Sequence, residues 1–172
     1  MSEAFKTQLV SLLPRLRRHA LARTGTVHAA DDLLQATCER AWKCRDQLQP
    51  GTRMDGWMFT IMGNLHIDDI RAVARRGIAA DPDLLDQLAD DAWQRRMEGS
   101  LALRKVLAAM QELPITMREV LALVTVDGLS YREAADTLGI PLGTVMSRLA
   151  RARMELLRRM EARELTREGV AK

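Results

Sequence analysis

Aromatic residues are scarce in this chain of 172 residues, at 3% of the total (three Trp, one Tyr, two Phe). That deficit, with Ala, Leu, Arg and Met abundant, argues against a strand-rich fold, because strands favour aromatic and β-branched side chains. Cysteine is equally sparse. Cys38 and Cys44 are two thiols whose spacing fits neither a CxxC redox pair nor a usual zinc half-site, so a disulfide framework is excluded. No run of about 18 apolar residues offers a membrane span, and Met1 to Arg18 lacks the basic-then-apolar order of a signal peptide. These absences predict a cytoplasmic protein without membrane insertion. Catalytic patterns are missing too. Gly51, Gly56 and Gly63 form neither GxGxxG nor a P-loop, Asp68 and Asp69 diverge by about 100° on a helix, and His19, His28 and His66 are isolated. The expectation is no enzymatic activity, cofactor, metal or small-molecule substrate.

Charge is 28% of the chain and apolar content 47%, values of a globular protein. Its distribution is uneven: residues 1–75 carry a net +3, 76–99 a net −3 and 100–172 a net +3. The middle stretch contains Asp81-Pro82-Asp83 and runs to Asp90-Asp91, five acids without a base, and reads as a linker. The predicted architecture is therefore all-α: two small helical domains, 1–75 and 100–172, joined by an acidic linker at 76–99.

In the first block the sequence predicts helices near 4–24, 28–46 and 54–74, broken at Gly25 and at the Pro50-Gly51 turn. Apolar residues recur at helical spacing, as in Leu33, Leu34, Cys38, Ala41, Trp42 and in Trp57, Ile61, Leu65. In the second block helices are predicted over 101–112, 116–127, 131–138 and 142–163, with a stop at Pro114. Ser130-Tyr131-Arg132-Glu133 is a capping box, which starts a helix that Gly139 ends. Ile140-Pro141-Leu142-Gly143 then turns into another helix, giving a helix-turn-helix. Val145, Leu149, Ala152, Leu156 and Met160 form its inward stripe. Thr144, Ser147, Arg148 and Arg151 share the outward side near its start, where such a helix presents base-reading groups to a major groove. Five arginines against one acid between Thr144 and Arg159 suit phosphate and guanine contacts.

These residues and their order resemble the small extracytoplasmic-function class of bacterial RNA polymerase sigma factors. Asp31-Asp32-Leu33-Leu34-Gln35-Ala36-Thr37 with Arg40-Ala41-Trp42 is similar to that family's regions 2.1 to 2.2. The resemblance implies docking on the clamp of core RNA polymerase through Asp31, Asp32, Leu33, Gln35 and Trp42. Pro50-Gly51-Thr52, Trp57-Met58-Phe59-Thr60-Ile61, Asn64-Leu65 and Ile67-Asp68 resemble regions 2.3 and 2.4, which melt the minus-10 element and capture a flipped base. Trp57, Asn64, Asp68 and Arg71 are the implied minus-10 residues, with Phe59 a further wedge candidate. A liberated base needs an apolar or aromatic platform and a polar edge, and a carboxamide offers both donor and acceptor. Leu113-Pro114, Arg118-Glu119-Val120, the Asp127 to Ala135 stretch and the Gly143 to Arg153 stretch resemble region 4, which reads the minus-35 element of promoter DNA; there the resemblance implies Thr144, Ser147, Arg148 and Arg151.

By the same resemblance an anti-sigma factor is an expected partner. The chain departs from the family pattern in having Met146 where a base is frequent, Ala150 where a larger side chain is frequent, Ala36 for an acid, Gly63 for a base before the Asn, and the acidic Asp68-Asp69. Two other readings fit parts of the sequence: a dimeric helix-turn-helix regulator that works without polymerase, and a sigma-like decoy that sequesters an anti-sigma. The intact helix-turn-helix arginines favour the sigma factor.

Overall fold

The computed structural model describes residues 2–75 and 101–170, and the acidic linker expected at 76–99 lies outside the described residues. The chain divides into two compact units, Met1–Asp90 and Asp91–Lys172. Among the described residues every regular element is helical.

The first unit packs three helices, α1 (Ser2–Thr24), α2 (Val27–Lys43) and α3 (Met54–Arg75), each against the other two. Thr26 caps α2, its hydroxyl accepting from the Ala29 N–H, which satisfies one of the donors a helix start leaves open. Ala30, Leu33, Thr37 and Ala41 then recur every three or four residues and form the buried face of α2. This helix stops at Lys43, earlier than the predicted Asp46. Cys44 leaves helical geometry, and the chain tightens into a 3-10 turn, Arg45–Gln47. On α3 the buried column is Met54, Met58, Met62 and His66, with Phe59 beside it. The predicted column Trp57, Ile61 and Leu65 is instead half-buried. It lies one residue, hence about 100°, away from the core-facing column.

Polar groups also enter this core. His19 and Arg23 of α1 are buried, and the His19 ring lies 4.7 Å from that of Phe59. A Cβ at Gly63 would stand 3.4 Å from Arg23 Nη1. The cation beside this point of α3 is therefore carried by α1. Asp55, in the first turn of α3, accepts from Arg15 of α1 at 2.7 Å and from Arg53 at 3.1 and 2.7 Å. Burial alone would raise the Asp55 pKa, but the hydrogen bonds from Arg53, the Gly56 N–H and Arg15 outweigh it and bring the pKa to about 2.

The second unit contains α4 (Leu101–Gln111), α5 (Ile115–Leu121), α6 (Tyr131–Leu138) and α7 (Leu142–Val170), with α7 packed against the other three. The predicted helix over 116–127 begins one residue sooner and loses α geometry at Ala122. Residues Ala122–Val126 widen into a π turn in which the Asp127 N–H reaches five residues back to Ala122. Helical spacing cannot reveal such a turn, because the apolar pattern passes through it unchanged.

The Ser130 capping box forms as the sequence predicts: Ser130 Oγ accepts from the Glu133 N–H at 3.3 Å and the Ser130 N–H donates to Glu133 Oε2 at 2.8 Å. Gly139 ends α6 at φ 62°, a left-handed conformation natural to glycine. The Ile140 N–H returns to the Ala135 carbonyl, which closes the cap. Pro141 then accepts from the Thr144 and Val145 N–H groups as α7 begins.

Candidate nucleic-acid interfaces

Rotation of α7 is set by Val145, Leu149 and Ala152, all buried, with Leu156 and Met160 half-buried further along the same stripe. That stripe turns Ser147 and Arg151 outward, both exposed, and places Thr144 and Arg148 half-buried on one shoulder. Ser147 Oγ donates to the Thr144 carbonyl at 3.1 Å, which leaves its oxygen lone pairs facing out. The four residues predicted to read DNA therefore share the outward side of three successive turns. Such a face is fit to meet base edges and phosphates along a major groove.

The first unit holds a cavity of about 690 Å³. One wall comes from α3: Trp57, Ile61 and Leu65, then Asn64, Ile67, Asp68 and Arg71. The opposite wall comes from Arg40 of α2, Cys44 at its end and Gln47 of the 3-10 turn. All four predicted minus-10 residues, Trp57, Asn64, Asp68 and Arg71, thus line one cavity. Trp57 stands edge-on to Phe5, ring centroids 6.4 Å apart. Asp68 and Arg71 sit 3.8 Å apart with more than two-thirds of each side chain exposed, so their pairing is weak and the guanidinium stays available.

The mix of an aromatic platform, amide edges and two cations suits a base with its phosphate. Phe59 does not join them. It is buried in the core, because α3 turns it toward His19 and Arg15. The sequence does not assign Arg40, Cys44 or Gln47 to this site. The place of Cys44 and Gln47 depends on the chain beyond α2 folding back as a 3-10 turn, which no motif announces.

The residues expected to dock on polymerase separate into two groups. Asp32 and Gln35 are exposed, Asp32 lying 3.5 Å from His28 Nε2 and Gln35 donating to Glu39 at 3.1 Å. Trp42 is 42% exposed, its ring braced edge-on by Phe5 at 6.0 Å and covered by the Arg45 guanidinium at 5.3 Å. Asp31 is committed to Arg17 of α1, which donates to both its oxygens at 2.7 and 2.8 Å. That hydrogen bond holds the Asp31 carboxyl below its usual pKa, against an opposing push from burial. Neither acid lies in the first turn of α2, so the helix dipole, which acts within about one turn, does not account for them. Leu33, expected at the docking surface, is 9% exposed and packs in the core.

Cys38 and Cys44 are free thiols, and burial pushes the Cys38 pKa up, which disfavours a reactive thiolate. Among the described residues no group of three or more His, Cys, Asp or Glu side chains is placed to hold a metal, and no helix is long and apolar enough to cross a membrane.

A basic helix-turn-helix in one unit marks a DNA-binding protein, and the other unit adds a cavity lined by an aromatic ring, amides and two arginines. Two family models match the same two parts: Sigma-70 region 2 over residues 9–77 and Sigma-70, region 4 over residues 103–156. The ECF RNA polymerase sigma factor EcfG of Rhodopseudomonas palustris is 35% identical over 156 residues, which is 91% of this chain and 84% of that protein. The sigma factor RpoE of Bartonella quintana, solved with the anti-sigma factor NepR, superposes with a TM-score of 0.76 at 29% identity, covering 92% of this chain and 98% of that one. CnrH, solved with the cytosolic domain of CnrY, gives 0.69 at 26% identity over 94% and 90% of the two chains. The chain belongs to the extracytoplasmic-function sigma factors of RNA polymerase.

Proposed function

We propose that residues 1–75 dock on core RNA polymerase and hold the opened minus-10 strand, and that residues 100–172 read the minus-35 duplex. The supporting observation is the convergence of Trp57, Asn64, Asp68 and Arg71 on one cavity. A base swung out of the duplex stacks on Trp57 and meets Asn64 along its pairing edge, while Arg71 and Arg40 neutralise the backbone. Asp32, Gln35 and Trp42 form the polymerase-facing surface, and Asp31 supports it through Arg17. On α7 the outward Ser147 and Arg151, with Thr144 and Arg148, make the duplex contacts.

The protein has no catalytic step of its own and acts in the cytoplasm as a promoter-specificity subunit. An anti-sigma factor holds it inactive, as the two solved relatives with their bound NepR and CnrY suggest. The test is run-off transcription from a genomic fragment library with core polymerase, with and without the protein, followed by sequencing of start sites. New starts preceded by a shared two-part motif are expected; none from the folded protein would overturn the proposal. On those templates Asn64→Ala should abolish or strongly reduce open-complex formation while leaving minus-35 duplex binding intact. Equal loss of both would remove Asn64 from the site.

A further inference from the structure

Ten methionines are spread through the chain, and most of those in the first unit fill its core. Met146 does not. It is 53% exposed on the second turn of α7, level with the residues that face the duplex. Each helical residue turns the chain by about 100°. With Val145 and Leu149 pointing inward, Thr144 and Arg148 fall on one shoulder of α7 and Ser147 and Arg151 on the crest. Met146 and the exposed Ala150 fall on the opposite shoulder, one turn apart. Between Thr144 and Arg151 the outward side is thus divided lengthwise into a basic column and an apolar one, and the apolar one ends where the exposed Arg153 follows on the same shoulder two turns beyond Met146. With its side chains an α-helix is about 10 to 12 Å across, close to the roughly 12 Å width of a major groove. A groove that admits the arginines therefore brings its other wall against Met146 and Ala150.

Desolvated apolar groups there are best matched on the base edges by the 5-methyl group of thymine, the largest apolar group in the major groove, since the donors and acceptors of the other edges are left unsatisfied by an aliphatic neighbour. We propose that Met146, with Ala150 beside it, reads thymine methyl groups on one wall of the minus-35 groove. The flexible, polarisable thioether can reach a methyl that a shorter side chain would miss. This inference rests on the reading that α7 contacts the minus-35 duplex.

The experiment uses the full chain bound to core polymerase and duplexes spanning a minus-35 element taken from mapped start sites. Each thymine is replaced in turn by deoxyuridine, which deletes only the methyl group, and binding is followed by fluorescence anisotropy. Deoxyuridine at one or two positions should weaken wild-type binding about 3- to 5-fold, the effect of one buried methyl. Met146→Ala should weaken binding to the thymine duplex and no longer distinguish the two bases at its position. Met146→Arg should lose the same discrimination and steepen the salt dependence by about one charge. Thymine sensitivity that is absent, or unchanged in Met146→Ala, would overturn the proposal and leave the apolar column to a protein partner. If the wild-type complex shows no preference for any minus-35 duplex, the reading of α7 itself fails.

Discussion

The two interfaces are built in different ways. On α7 the proposed reading face comes from eight consecutive residues of one helix, from Thr144 to Arg151, aimed by a buried stripe beneath them. In the first unit the cavity is assembled from the end of α2, the 3-10 turn after it and more than three turns of α3. A face on one helix keeps its geometry as long as that helix is docked, so its side chains act almost independently. A cavity between three segments exists only while all three are packed, so its function is tied to the core of its unit. Substitutions that loosen the first unit should therefore abolish strand capture, whereas the reading face should fail residue by residue.

The largest expected effect tests that coupling. Phe59 is buried, lies against the tilted ring of His19 and sits 5.2 Å below the Arg15 guanidinium. Phe59→Ala should destabilise the first unit by about 3 to 5 kcal/mol and abolish open-complex formation. Hydrogen exchange should accelerate in α1 to α3 and stay unchanged in α5 to α7, with minus-35 duplex binding retained. Faster exchange in both units would break the comparison, since the two would then fold as one.

The reading face supplies the next effect. Arg151→Ala should weaken minus-35 binding by about 1 to 3 kcal/mol if the guanidinium pairs with a base, and lower the salt slope by about one if it holds a phosphate. Arg148, half-buried on the shoulder, should show the same signature independently, and the double variant should lose close to the sum. A loss far from additive would mean that the two arginines share one contact.

The helix-turn-helix was legible because its signals are local. Ser130 and Glu133 announce the capping box, Gly139 and Pro141 set the turn, and Val145, Leu149 and Ala152 give the rotation, each within a few residues of what it determines. Leu33 and the column Trp57, Ile61, Leu65 were harder. On α2 and α3 apolar residues occupy two adjacent columns, and periodicity alone does not say which column meets the core and which lines a cavity. Packing of α1 decides it, through His19, Arg23 and Arg15, polar side chains that a hydrophobic pattern passes over. The members of the cavity were nonetheless found on α3, because Trp57, Asn64, Asp68 and Arg71 follow a family pattern. Cys44 and Gln47 are not legible as cavity members because the 3-10 turn that brings them round carries no such pattern, and Arg40, within α2, because its motif points to the polymerase-docking regions instead.

A smaller effect isolates the ion-pair clamp between α1 and α3. Asp55 has a side chain 11% exposed, against 25% for Arg15 and 57% for Arg53. Its pKa is about 2 when folded, down from the usual 3.8. The unfolded chain therefore binds the proton more readily, and the clamp's contribution is fully present above about pH 4 and is lost as pH falls through 2. Allowing for the solvent exposure of Arg53, that contribution is about 1 to 2 kcal/mol. Asp55→Asn should lower the stability of the first unit by this amount at pH 7 and flatten its decline between pH 4 and 2. Acid titration of tryptophan fluorescence in a Trp93→Phe background reads this, since the two remaining tryptophans, Trp42 and Trp57, both belong to that unit.

The smallest effect lies in the second unit and sharpens the contrast from the other side. Ser130 Oγ satisfies the Glu133 N–H at the start of α6, so Ser130→Ala should cost about 1 kcal/mol. The loss should appear as faster exchange at the first amides of α6, and Glu133→Ala should reproduce part of it by freeing the Ser130 N–H. Because α7 packs against α4 and α5 as well as α6, the proposed reading face should keep its orientation and minus-35 affinity should fall less than twofold. A larger drop would show that α6 does more than brace α7, and that its own exposed Tyr131 and Arg132 contribute to the duplex contact.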